Sequence, residues 1–297
     1  MASGNVKAFP HPSPIFPNAV LKLGRFTLSL DRPLIMGIVN ITPDSFSDGG
    51  KFFDPARALQ HARQLLADGA DILDIGGESS RPGAEAVPVD EELRRVMPVL
   101  ERLVDLPVPI SVDTCKPEVM RRAIAAGVAL VNDIFALQAP GALEAVAASE
   151  AAVCLMHMQG EPRTMQEAPQ YHNVVQEVCD FLAARAEAAQ AAGIHRDRIV
   201  IDPGFGFGKT PRHNLELIRA LPQLRATGLP VLAGLSRKSL FGKIAGREAA
   251  GRDSASAAGA LLAAQRGASI LRVHDVAATR DSLLVLRAID DPDYSLP

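Results

Sequence analysis

Polar residues recur at one kind of place in this chain, directly after short apolar runs. Asn40 closes Leu34–Val39, and Asp74 lies within a second run that passes into Gly76-Gly77-Glu78-Ser79-Ser80-Arg81-Pro82-Gly83. Asp113-Thr114, Asn132-Asp133 and His157 end three more runs. Asp202 leads into Pro203-Gly-Phe-Gly-Phe-Gly-Lys209, and the last two runs end in Ser236-Arg237-Lys238-Ser239 and Arg272-Val273-His274-Asp275. Singly, an Asp or Asn after a strand is a turn former or a helix cap, and a lone His is a satisfied surface or core histidine. Together, on one face, they form a density of half-buried charge that calls for a polar ligand. Asp113, Asn132 and Asp202 accept hydrogen bonds, and Asn132 also donates. A flat heterocycle with an amino group, a ring N–H and a carbonyl would satisfy them, and Lys238 could donate to a ring carbonyl or nitrogen. Arg272 and His274 match an anionic group nearer the rim. Asn40 offers an oxygen to a hard cation such as Mg2+. The residues alone therefore point to a transferase or hydrolase acting on a phosphorylated heterocycle.

The first run is followed by the most informative segment, Asn40-Ile-Thr-Pro-Asp-Ser-Phe46-Ser-Asp48-Gly-Gly50. Pro43 and the paired glycines stop the strand and forbid a helix. They leave a loop carrying an amide, hydroxyls, two carboxylates and an aromatic at a strand's carboxyl end, where enzymes place their chemistry. Sharper motifs fail. Gly204–Thr210 imitates a phosphate-binding loop, but Pro203 stands where the pattern needs its first glycine. There is no HExxH, no GxSxG and no close His/Cys cluster.

The elements that must position these residues alternate. Eight apolar β runs, Leu34–Val39, Ile72–Ile75, Pro109–Val112, Leu130–Ile134, Ala152–Met156, Arg198–Ile201, Val231–Leu235 and Ser269–Val273, are separated by helical patterns. The helices are expected at Pro55–Leu66, Val89–Val104 (kinked or broken at Pro98), Pro117–Ala126, Ala142–Ala148, Val174–Ala192 after Asn173, Pro211–Leu221 after Thr210, Asp253–Arg266, and Val276–Ala288 after Asp275. This alternation predicts an α/β fold, a (β/α)8 TIM barrel in a single domain. An open doubly wound sheet would need a glycine fingerprint after the first strand, and none is there. Leu21–Leu30 alternates around Gly24-Arg25 and predicts a β-hairpin capping the amino end of the barrel. The division expected is a flexible arm over 1–19, the barrel over 20–290 and a tail over 291–297.

Composition agrees. The chain has 297 residues, ample for one such barrel, and with 4% aromatics and no Trp its core must be aliphatic. A net charge of -3 with no basic block argues against nucleic acid or an anionic membrane as partner. Three cysteines without a CxxC, no apolar segment of membrane length and a proline-rich start without an h-region predict a soluble, cytoplasmic protein.

The loops Asn40–Gly50 and Asp74–Gly83 resemble the two signature loops of the dihydropteroate synthases. The likeness continues through Ser111-Val-Asp113-Thr, Val131-Asn132-Asp133, Asp202–Lys209, Gly234-Leu-Ser-Arg-Lys-Ser239 and Arg272–Asp275, in the family's order, over roughly Leu34 to Ile289. The resemblance implies a Mg2+-dependent condensation of 4-aminobenzoate with a dihydropterin-methyl diphosphate, giving dihydropteroate and diphosphate, in a homodimer. Carried over, Asp113, Asn132, Asp202 and Lys238 look like the pterin set. Asn40, Ser80, Arg272 and His274 look like the diphosphate set, with Asn40 at the metal. Phe46, Pro82, Phe207, Lys238 and Ser239 look like the aminobenzoate pocket, which sulfonamides would share. Asp48 and Arg81 look like loop-closing partners and, with Asp113 and Lys238, count as catalytic. Two departures stand out: Ser80 replaces the usual Thr, and Leu240-Phe241 inverts the usual aromatic-then-aliphatic order. Two alternatives stay open on sequence: a methyltetrahydrofolate-handling barrel, and a catalytically silent pterin-binding paralogue.

Overall fold

The structure, a computed structural model, describes residues 19–41, 55–79, 83–248 and 251–295. Gly24, at φ 54°, turns the chain between β1 (Val20–Leu23) and β2 (Phe26–Ser29), an antiparallel pair that sets Leu23 opposite Phe26. Alternation puts Leu21 and Leu23 on one side of the pair, and both are buried.

Eight parallel strands follow: β3 (Leu34–Asn40), β4 (Ile72–Gly76), β5 (Ile110–Asp113), β6 (Leu130–Asp133), β7 (Ala152–Met156), β8 (Ile199–Asp202), β9 (Leu232–Ala233) and β10 (Ile270–Val273). Each pairs with its neighbour in sequence, β10 pairs with both β3 and β9, and a bridge from Ile201 to Val231 joins β8 to the segment entering β9. The ring is the expected TIM barrel. Around it run α1 (Pro55–Ala67), α2 (Val89–Leu103), α3 (Pro117–Ala125), α4 (Ala142–Ala147), α5 (Val174–Ala191), α6 (Pro211–Arg219), α7 (Leu221–Arg225), α8 (Ser239–Ala245), α9 (Asp253–Gln265) and α10 (Val276–Asp290). Asn173 and Asp275 cap α5 and α10 through their side chains, and Thr210 forms a capping box with His213 at α6.

Three local expectations change. The helix α2 runs through Pro98 as one element. Pro98 removes one backbone donor, but Val96, Val99, Leu100 and Leu103 bury a full apolar stripe against the sheet and hold the helix together. The helix expected at Pro211–Leu221 divides into α6 and α7, with Pro222 starting the second. The strand expected at Val231–Leu235 is regular over only Leu232–Ala233.

Parity then splits the barrel. Outward residues such as Ile35, Val39, Leu73, Val112 and Leu155 join the helices in one aliphatic core. Inward residues fall into two zones. Near the amino end Leu34, Met36, Ile72, Leu130, Cys154, Val200 and Ile270 pack with Leu21, Leu23 and Leu30 of the hairpin, which closes that end. One step further along the same strands, the inward positions become polar: Asn40, Asp74, Ser111, Asp113, Asn132, Asp202 and Arg272. Burying several apolar side chains of the first zone offsets the cost of desolvating the second.

Candidate active site

Arg272 is the centre of the polar zone. Its Nε donates to Asp74 Oδ2 at 2.6 Å and its Nη2 to Asp113 Oδ2 at 2.7 Å. Asn132 Nδ2 donates to the same Asp74 oxygen at 3.2 Å. Asp74, Asp113, Asn132 and Arg272 therefore form one connected group drawn from four strands. Asp74 is 0% exposed, and its Oδ1, like Ser111 Oγ beside it in register, has no hydrogen-bond partner among the described residues. Buried acceptors in that state mark a place built for a further donor.

The electrostatics follow from the depth. Burial pushes the Asp113 carboxyl up to about 7, with Arg272 pulling it down and Asp74 pushing it further up. Burial likewise raises Asp202 to about 6, against the pull of the Gly204 N–H, which donates to Asp202 Oδ1 at 2.7 Å, and of Lys238. Arg272 is pushed down by burial, but Asp74 and Asp113 outweigh that and hold it firmly charged. Two carboxyls that ionise near neutrality and a fixed cation can bind a ring presenting several N–H donors and a π face.

The rim is built by the segments after β8, β9 and β10. Lys238 Nζ lies 4.2 Å from the centroid of the Phe207 ring, a cation–π contact joining two segments. Lys238 and Ser239, the first residue of α8, share a cavity with Gln166, Gly206, Lys209 and Asn214. Before them Arg237 adopts a left-handed backbone, φ 57°, unusual for a long side chain. Ser256 Oγ accepts its N–H at 2.9 Å, Asp253 accepts its Nε at 2.8 Å, and Arg252 donates to its carbonyl at 3.2 Å. This strained residue aims its two successors, as strain at functional turns commonly does. His274 is oriented through Ser236. The Ser236 Oγ accepts the His274 backbone N–H at 3.2 Å and lies 3.0 Å from Nδ1. The shared hydroxyl fixes the orientation of the ring, with Nδ1 turned to Ser236 and Nε2 at the opposite edge.

A buried ion cluster underlies the start of the second signature loop. Lys116, just ahead of α3, donates to Glu92 at 2.6 Å and to Glu78, whose other oxygen accepts the Val87 N–H at 2.8 Å. Arg95 holds the Gly77 carbonyl at 2.9 Å.

The structure thus brings Asp113, Asn132, Asp202 and Arg272 together, and Phe207, Lys238 and Ser239 beside them. Asn40 ends β3 in register with Gly76, and Gly76 in turn with Asp113. Phe46, Asp48, Ser80, Arg81 and Pro82 lie outside the described residues. Asp74 and Ser236 are additions. Asp74 stands among the polar strand ends in sequence without a role assigned to it there, although a carboxylate inside an apolar β run is itself a signal. For a divalent cation the fit is that of an oxygen donor at the mouth. Gly76 leaves the space next to Asn40 clear, since a Cβ there would lie 3.7 Å from Asn40 Oδ1 and 3.8 Å from Asp113 Oδ2. Among the described residues no group of three or more His, Cys, Asp or Glu side chains could hold a metal alone. The donor set suits Mg2+ carried largely by phosphate and water.

The profile of the pterin binding enzyme family matches residues 36–274. The chain is 53% identical over 275 residues to a dihydropteroate synthase of Neisseria meningitidis serogroup C, covering 91% of this chain and 97% of that one. It superposes with a TM-score of 0.84 on the Xanthomonas albilineans dihydropteroate synthase with 4-aminobenzoic acid, at 56% identity over 91% of this chain and 96% of that one. The TM-score is also 0.84 for the Burkholderia cenocepacia dihydropteroate synthase complexed with 7,8-dihydropteroate, at 52% identity and the same coverage. The polar zone over a hairpin-sealed barrel, matched across nearly its whole length in sequence and in shape, places this chain in the dihydropteroate synthase family of pterin binding enzymes.

Proposed function

We propose that this barrel condenses 4-aminobenzoate with (7,8-dihydropterin-6-yl)methyl diphosphate, releasing diphosphate and forming 7,8-dihydropteroate, with Mg2+ as cofactor and by a dissociative, SN1-like path. The observation that carries the reading is the convergence of Asp113, Asn132, Asp202 and Arg272 on one buried zone, with Lys238 and His274 above it. In this reading the carboxylates and Asn132 take the pterin's N–H groups. Lys238 donates to its ring, and the exposed edge of the ring meets the arylamine between Phe207, Lys238 and Ser239. An arylamine is already neutral near pH 7, so attack needs no strong base; the barrier lies in the leaving group. Arg272 and His274 stabilise the departing diphosphate. Asn40 would hold Mg2+ together with the substrate, and the ion would supply charge neutralisation for the leaving group. Departure of diphosphate first leaves a cation delocalised over the pterin, which the Asp113 and Asp202 carboxylates stabilise. As the family resemblance implies, Ser80 contacts the diphosphate, Phe46 and Pro82 line the aminobenzoate pocket, and Asp48 and Arg81 hold the loops closed over it, excluding water.

The working unit in this reading is a cytoplasmic homodimer. Leu262 on α9 and Leu284, Val285 and Ile289 on α10 are exposed apolar side chains on two packed helices, the composition of an interface core. No described helix is long and apolar enough to cross a membrane.

The test is diphosphate release on mixing both substrates with Mg2+, repeated with Lys238→Ala and Asp113→Ala. Full activity in both variants would sink the site assignment. A bound pterin diphosphate that releases no diphosphate without aminobenzoate would count against the dissociative path.

A further inference from the structure

Lys209 is 2% exposed, yet no carboxylate bonds to it. Burial lowers its amine to about 7, with Asp202 pulling it up, and Nζ, which carries three N–H donors when protonated, meets three neutral acceptors: His157 Nδ1 at 2.9 Å, the His157 carbonyl at 3.3 Å and the Phe207 carbonyl at 2.9 Å. Burial holds the His157 ring down to about 3, and Lys209 pushes the same way, so the imidazole is neutral and Nδ1 is an acceptor. Two of the three bonds thus end on the carboxyl end of β7, and the third ends on the loop after β8. A buried ammonium that only fills space would be replaced at a gain by an apolar side chain. This one spans two active-site segments.

Those segments are pressed together along their length. Gly204 and Gly208 sit at φ 67° and 60°, and a Cβ on either would collide with the carbonyl oxygen of His157 or of Gln159. The His157 N–H donates to the Asp202 carbonyl at 2.9 Å. Tyr171 donates to the Gly208 carbonyl at 2.9 Å, Gln166 donates to that of Gly206, and Asn214 accepts the Gly206 N–H at 2.7 Å. Among these ties, the ammonium is the one that grips Phe207 itself, whose ring carries Lys238 at 4.2 Å.

Resting on the proposed condensation, we infer that Lys209, together with His157, is a positioning residue that fixes Phe207 against Lys238 and so shapes the arylamine side of the site. The pterin acceptors Asp113, Asn132 and Asp202 sit on the strands themselves; Lys209 bonds to none of them and reaches Asp202 only through its charge.

The experiment is steady-state turnover of Lys209→Met and Phe207→Leu, singly and together. Lys209→Met is expected to raise KM for 4-aminobenzoate about tenfold, the loss of roughly one charge-assisted hydrogen bond, and to leave KM for the pterin diphosphate within about twofold. The double variant is expected to be little worse than Phe207→Leu alone, because both changes break one arrangement. Equal shifts in both KM values, an unchanged aminobenzoate KM with a lowered Tm, or additive effects in the double variant would each overturn the inference. If Lys209→Met does not fold, His157→Leu removes the imidazole acceptor only and must show the same split at smaller size. Calorimetric titration of 4-aminobenzoate, with 6-hydroxymethylpterin and inorganic diphosphate present, separates the two proposals. Wild-type protein that binds but does not turn over defeats the condensation, whereas Lys209→Met protein that binds as tightly as wild type defeats the clamp.

Discussion

Asp74→Asn is the most revealing single substitution because it keeps the side chain's shape and removes only its charge. Asp74 and Asp113 hang on the same guanidinium, at 2.6 and 2.7 Å from two of its nitrogens. Two carboxylates so placed lie roughly 5 Å apart and repel by about 3 kcal/mol at an effective dielectric constant of about 20. That is equivalent to about 2 pH units in the ionisation of either one. Burial has already pushed Asp113 up to about 7, with Asp74 adding to the rise. In the variant the repulsion is gone and Arg272 is left to Asp113 alone, and both changes favour the ionised form. The N–H groups of a pterin need that ionised form, so affinity is full above the Asp113 pKa and falls as pH drops through it. Titration of pterin binding from pH 5 to 8 should therefore show a midpoint near 7 in the wild type and one or two units lower in Asp74→Asn. Stability of the free protein carries the complementary sign. A carboxyl raised on folding contributes stability at low pH that is lost as pH rises through the folded value, and Asp74→Asn should flatten that loss. A midpoint that stays put, or moves upward, would show that Asp74 does not act on Asp113 and would refute the reasoning.

Three further outcomes follow from the geometry. Lys116→Met leaves Glu92, which is 0% exposed, without its cation, and should lower the free energy of unfolding by about 3–5 kcal/mol in urea melts. Leu23→Ala, at the sealed end, should cost about 3–5 kcal/mol of stability while leaving kcat/KM within about twofold, because the polar zone lies beyond the apolar one. Chelation of divalent cations should abolish diphosphate release while pterin binding, measured without diphosphate, persists; equal loss of both would remove the metal from the leaving-group role.

Much of the architecture was legible because parallel strands buried on both faces leave an unmistakable run of aliphatic residues, and all eight runs became strands. The site was legible in the residues that end those runs, such as Asp113, Asn132 and Asp202. What escaped did so for identifiable reasons. Asp74 sits two residues before the end of its strand, where parity rather than position reveals it. The helix α8 is short and carries Gly242, a poor helix former; yet a Cβ there would press within 2.6 Å of the Arg252 guanidinium carbon, so tertiary packing decides against propensity. Pro98 is the same lesson reversed, since the apolar stripe of α2 outweighs one missing donor. The Lys209–His157 contact joins residues 52 apart, and no local pattern announces it.

The hairpin at the amino end has a kinetic meaning as well as a structural one. Because Leu21, Leu23 and Leu30 close the barrel floor against Leu34, Met36 and Ile270, the interior is a blind well with one mouth. Whatever binds against Asp74, Asp113 and Asn132 must enter and leave at the strands' carboxyl ends, past the segments that carry Phe207 and Lys238. A plug made of leucines thereby gives every ligand of the polar zone a single route, without touching any of them.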